Sequence, residues 1–186
     1  MEMKVDLKAL TQESREILGR KRLMLMIMSG SIEPAIYYRY LVNQFQNYRA
    51  LELCLDMCGF DKGYSGVYRT TRILRDIWEL EQKFGLTYNA DHLTKSTIEY
   101  CSHVEQLARV GDIDGLIAHL YVRQFADMYH GPRVASRVPG SAAIYDFDYK
   151  ETLKTELRTV LSNDMAAESN LCFDYAIRLS DELAGH

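Results

Sequence analysis

Apolar side chains along the 186 residues recur every three or four positions, the period of a helix with one buried face, and nowhere alternate as a half-buried strand does. Over residues 6–28, Leu7, Leu10, Ile17, Leu18, Leu25 and Met28 share one side of a predicted helix that Gly30 ends. Ser31 reads as an N-cap, with Glu33 in the first turn and Pro34 early enough to be tolerated. The long helix it opens is predicted to run to Cys58, where Gly59 stops it, with a stripe of Tyr37, Leu41, Gln44, Tyr48, Leu51, Leu55 and Cys58. Further helices are predicted over 67–84, 91–110, 113–137, 149–161 and 164–183. The Gly131-Pro132 pair predicts a kink or a two-part helix, because proline withholds a donor and its ring collides with the preceding turn. Residues 138–148, with Pro139 and Gly140, read as a long loop. With no repeat and no linker, the pattern predicts one domain over residues 1–186, an all-α, single-domain orthogonal helical bundle.

Composition narrows the function classes. A net charge of −4 with Lys and Arg scattered along the chain provides no basic field for nucleic acid, so no nucleic-acid partner is expected. The longest apolar run, residues 23–28, is far short of the ~20 residues that span a bilayer, and the acidic Met1-Glu2 start does not resemble a secretory leader. The expectation is a cytoplasmic protein without a membrane partner. Cys54, Cys58, Cys101 and Cys172 lack CxxC spacing and, in a reducing compartment, read as small core residues; a soft-metal pair at Cys54 and Cys58 is the alternative.

The candidate chemistry lies in the fifth predicted helix. Arg123 and Asp127 stand one turn apart on the face that carries Leu116 and Leu120. On spacing alone they make a surface ion pair worth ~0.3–0.5 kcal/mol. A carboxylate on a partly apolar face that is instead buried must be paired or hydrated. His119 reads as structural, and Glu99 with His103 has the one-turn spacing of a metal pair or of a surface pair. His92 and His186 have no evident partners.

The segment 118–127, Ala-His-Leu-Tyr-Val-Arg-Gln-Phe-Ala-Asp, resembles the distal helix of heme oxygenases, whose Gly-Asp-x-Ser-Gly-Gly run stands against Ala126-Asp127-Met128-Tyr129-His130-Gly131 here. Asp127 and Gly131 match; Ala126, Tyr129 and His130 depart. Leu7-Lys8, Thr11, Glu13, Gly30, Tyr48 and Ala50-Leu51-Glu52 are in register with the family's first two helices, and Phe173 and Asp181-Glu182-Leu183 with its last. The resemblance implies a heme oxygenase-like fold. It also implies heme as the candidate cofactor, Asp127 ordering water with Arg123 and Tyr48 in its hydrogen-bond network, and heme propionates held by Lys8, Tyr121, Lys150 and Lys154. Gly131 would let the helix backbone approach the heme.

Arg15 stands where the family has its iron-binding histidine, and a guanidinium has five donors and no lone pair to give. His130 replaces a glycine that would lie over the iron, so it is the candidate iron ligand or a plug; facing solvent before Pro132 is its alternative. Ala176 stands where the distal network has an asparagine. The carboxylate and histidine set of a di-iron bundle cannot be assembled, and no cysteine has a recognisable activating context. Two readings follow. In one, the chain binds heme, another tetrapyrrole or a planar anionic ligand between the first and distal helices, Arg15 contributing charge, with catalysis altered or lost. In the other it is a heme-degrading monooxygenase, converting heme to biliverdin with an electron donor, Asp127 and an unusual ligand such as His130.

Overall fold

In a computed structural model describing residues 5–60 and 66–185, the amino-terminal stretch forms three short helices rather than one: α1 (Leu7–Leu10), α2 (Gln12–Gly19) and α3 (Arg22–Ser29). The first break falls at Thr11, whose buried hydroxyl donates to the Leu7 carbonyl at 2.7 Å and competes with the helical ladder. The second falls at Lys21, which takes an extended conformation and holds Asp181 through its ammonium at 2.8 Å. The breaks also turn the predicted stripe out of register: Leu7 is buried, but Leu10, Ile17 and Leu25 are exposed, and Leu23 and Ile27 face the core in their place. Gly30 then closes α3 at φ 77°.

The long helix α4 (Pro34–Met57) starts after Glu33, not at Ser31 as the sequence suggests. It packs against α5 (Thr70–Phe84), α6 (Lys95–Val110) and α7 (Ile113–Val134), while α9 (Ala166–Ala184) closes over α2, α3, α6 and α7. The short α8 (Lys150–Thr159) lies against α7. Single 3-10 turns at Ala90–His92, Ala143–Tyr145 and Asn163–Met165 complete the order, and no described residue is in a strand. None of the described helices is long and apolar enough to cross a membrane. All four cysteines are free, Cys54 and Cys172 within the core as expected and the other two half-buried.

Carboxylates from one element meet backbone amides of another, two of them, Glu52 and Asp76, buried. Glu52 accepts from the amides of Arg69 (2.5 Å) and Thr70 (3.2 Å) and from the Thr70 hydroxyl, so α4 caps α5. Glu182 likewise accepts from the Ser96 amide and hydroxyl, so α9 caps α6. Asp76 accepts from the amides of Ala143 (2.7 Å) and Ile144 (2.8 Å), and the buried Arg69 donates to the Ala143 and Asp146 carbonyls. These bonds tie residues 138–148, the predicted loop, onto α5 and set Tyr145 against α7.

There Gly131 is required: a Cβ on it would lie 2.9 Å from that of Tyr145. Of the two outcomes predicted at Gly131-Pro132 the two-part helix is absent, since α7 continues to Val134 and the Ala135 amide reaches the Gly131 carbonyl at 2.8 Å. Pro132 sits within the last turn, where the ladder is nearly finished and one missing donor interrupts little.

Candidate functional site

Helical spacing aims one stripe from each of several elements at a common space. α4 contributes Tyr40, Gln44 and Tyr48, four residues apart; α7 contributes Arg123, Ala126, Asp127 and His130; α9 contributes Cys172, Phe173, Ala176 and Leu179. α1 and α2 supply Leu7, Lys8, Arg15 and Leu18 opposite. Together with Met24, Ile27 and Tyr121 they enclose a cavity of about 870 Å³, within the range of small-molecule sites.

Its polar depth is built around Asp127. The Tyr48 hydroxyl donates to Asp127 Oδ2 at 2.5 Å, and burial pushes the carboxyl up to about 6, against the opposing pull of that bond and of Arg69 and Arg123. Arg123 does not pair with Asp127. Its Nε donates to Tyr100 Oη at 2.9 Å and its Nη1 to Gln44 Oε1 at 3.0 Å, with the guanidinium carbon 4.1 Å from the Tyr100 ring centre. The surface ion pair allowed by spacing is therefore absent. Arg123 is a buried strut that holds α4, α6 and α7 together behind the carboxylate, and its neighbours Tyr100 and Cys172 strengthen its hold on the proton although burial opposes it.

The facing wall is charged, with Lys8 and Arg15 standing beside Asp6 and Glu16. Arg15 donates to the Lys8 carbonyl at 2.9 Å, and burial raises the Tyr121 hydroxyl against the opposing charge of Arg15. Burial, Arg133 and then Arg15 keep His130 below its ordinary value, hence neutral, the form with a lone pair for a metal. Among the described residues it is the one histidine that lines the cavity. His130 is exposed, but to this open cavity.

Lys8, Arg15, Tyr48, Tyr121, Arg123, Asp127 and His130 thus share one space; Gly131, Lys150 and Lys154 are outside its lining. Gly131 packs against Tyr145, and the Lys154 ammonium is spent on Glu151 (3.0 Å) and the Tyr129 ring (4.5 Å). Arg158, one turn beyond Lys154, reaches the rim instead and donates to Tyr129 Oη at 3.2 Å. Sequence reading missed Arg158, Tyr40 and Tyr145. The i,i+4 spacing from Lys154 and from Gln44 was the available signal for the first two, while Tyr145 comes from a loop with no periodicity to read.

Apolar walls, rim cations and one neutral imidazole fit a flat, anionic, largely apolar molecule; His130 would be the residue to meet a metal carried by such a ligand, since Arg15 has no lone pair to give.

One turn before Arg123 on α7 lies a second group. His119 Nε2 and His103 Nε2 both meet Glu168 Oε2, at 3.0 and 2.8 Å. Hydrogen bonds from His119, and then from His103, hold the Glu168 carboxyl down at about 2 although burial opposes them. His103 is thus partnered, contrary to its sequence reading with Glu99, which instead bonds Arg178. Cys172 adjoins His119: burial disfavours its thiolate, but His119 and Arg123 outweigh that and lower it, so a cysteine read as inert has an activating neighbour. His92 accepts at Nδ1 from the Asn89 amide (3.3 Å), and His186 lies outside the described residues.

Three solved structures share this arrangement of helices. Heme oxygenase from Leptospira interrogans is 22% identical, covering 95% of this chain and 97% of that one with a TM-score of 0.79. Heme oxygenase-1 from the cyanobacterium Synechocystis, in complex with heme, is 18% identical (96% and 90% covered, TM-score 0.78). Heme oxygenase-2 from Synechocystis, with heme and NO, is 20% identical (95% and 83%, TM-score 0.79). Comparison with curated proteins gives no match. The family model described as Heme oxygenase matches residues 1–138, more than half of the sequence, and the chain belongs to the heme oxygenase family.

Proposed function

We propose that the cavity binds heme or a related anionic tetrapyrrole between α1–α2 and α7, without a proximal iron ligand, and that heme degradation is altered or lost. The observation that carries this reading is Arg15: it occupies the cavity wall opposite Asp127, where its guanidinium pairs with carboxylates but gives nothing to iron. Lys8 and Arg158 add positive charge at the rim, and Leu7, Leu18, Phe125 and Phe173 supply apolar contact for a macrocycle. Two of the similar structures hold heme, which favours that ligand class.

Bound heme would supply redox chemistry, and His130 is the imidazole able to meet its metal. The protein's own part is proton handling: Tyr48 fixes Asp127 Oδ2 at 2.5 Å, and a carboxyl near 6 exchanges its proton close to neutrality.

The test is a pair of absorbance titrations, with hemin and with metal-free protoporphyrin. Both should saturate at one per chain, with any preference for hemin set by His130 and removed in His130→Ala, each ~1.4 kcal/mol of metal–ligand bonding being a factor of ten. His130→Ala should alter the hemin spectrum and leave the metal-free porphyrin unaffected. Hemin bound far more tightly than the porphyrin and with an unchanged spectrum in His130→Ala, or biliverdin formed by the wild type with a reductant and oxygen, would sink the reading and favour a working heme-degrading enzyme.

A further inference from the structure

We propose that His103, His119 and Glu168 form a binding site for one divalent transition-metal ion of the zinc class, where α6, α7 and α9 meet one turn of α7 before Arg123. The three ligand atoms come from α6, α7 and α9 and lie within 4.8 Å of one another, with both imidazole Nε2 atoms drawn to a single carboxylate oxygen. Two nitrogens and one oxygen converging in this way make the donor set of a three-ligand zinc site, and imidazole selects zinc, cobalt or copper over calcium and magnesium. Opening the 2.8 and 3.0 Å contacts by a few tenths of an ångström gives an ion room at ordinary bond lengths of ~2.0–2.2 Å.

A second observation concerns the far nitrogen of His119. The ring is 0% exposed, and its buried Nδ1 meets no oxygen or nitrogen partner, only the Cys172 thiol. A neutral imidazole bound to a metal through Nε2 carries its proton on Nδ1, and ligating histidines present that proton to a neighbouring acceptor. Cys172 is in place for that role, its sulfur already beside the His119 backbone. His103 and Glu168 are 23% and 27% exposed on their side chains, so an ion has a path in and a fourth position for water. His119 stands one turn before Arg123, so the ion would tie α6 and α9 to the helix that carries Asp127. Nothing here depends on what the cavity binds.

The experiment is a titration of chelator-treated protein with cobalt(II), whose visible bands report coordination by protein. One cobalt per chain, displaced by zinc and raising the unfolding temperature, is the expected result. His103→Ala and Glu168→Gln should weaken binding by more than the ~10–100-fold typical of disturbing an outer partner, and His92→Ala should bind as the wild type does. Zinc should also shield His103 from diethyl pyrocarbonate in the unaltered protein, which answers the question if a variant misfolds. No saturable cobalt binding, or binding unchanged in both variants, overturns the proposal.

Discussion

Asp127 carries a carboxyl raised to about 6 against an unfolded value of about 3.9, so its titration acts on stability in the direction opposite to that of a salt-bridged acid. Between those values the folded state holds more protons than the unfolded one, and stability from this group falls as pH rises from about 4 to 6. Asp127→Asn should therefore be more stable than wild type by about 3 kcal/mol at pH 7, with the difference shrinking towards zero near pH 4. Urea melts of both proteins at the two pH values check this, and a pH-independent difference would refute it.

Arg15 makes the complementary case. Arg15→His should strengthen hemin binding without restoring biliverdin formation, because Ala126 and His130 still line the opposite face, whereas adding Ala126→Gly and His130→Gly should open that face. Equal turnover by wild type and the triple variant would show that the missing ligand matters little.

At the level of elements, local caps hold the starts of α1, α6 and α7 through Asp6, Thr94 and Asp112, whereas α5 has no side-chain cap of its own and depends on an acid from α4. Glu52 receives two amides and a hydroxyl from the start of α5. Glu52→Gln places amide protons against those donors, and the cost should be about 1–3 kcal/mol in urea unfolding. A change below a few tenths of a kcal/mol would mean that water satisfies the end of α5.

Asp76 has the same relation to residues 138–148: it binds the amides of Ala143 and Ile144 and so sets Tyr145 over Gly131. Asp76→Asn should raise amide exchange at 143–145 while leaving α9 protected, since only this segment depends on that carboxylate.

Across the whole molecule the net charge is −4, yet the cavity gathers Lys8, Arg15 and Arg158 on one side. An anionic tetrapyrrole held there should bind more weakly as salt rises, because two of these groups, Lys8 and Arg158, are exposed and screened within a Debye length of about 8 Å at physiological strength. Arg158→Ala should weaken porphyrin binding and flatten that salt dependence; Lys150→Ala should do neither, since Lys150 is not part of the lining. Saturating ligand at about 100 times Kd adds about 2.7 kcal/mol, or roughly 5–10 °C in Tm for a domain of this size.

The sequence by itself determined the all-α class, the inward stripes of α4, α7 and α9, and the family register, because an apolar period of 3.6 is a one-dimensional property that survives in the chain. It also marked Asp127, Tyr48 and Arg15 as members of one site through their register. It did not reveal that Arg123 turns to Tyr100 and Gln44 instead of Asp127, that Thr11 and Lys21 divide the first helix, or that α7 passes through Pro132.

Those outcomes depend on partners distant in sequence: Gln44 is 79 residues from Arg123, and Asp181 is 160 from Lys21. The meeting of His103, His119 and Glu168 is of the same kind, three helices each presenting one side chain to a point that no spacing along the chain specifies. Periodicity selects the face a residue occupies; only the packing of one helix on another decides which side chain it meets there, because hydrogen bonds and metal ligation act over about 3 Å in space, whatever the separation along the chain.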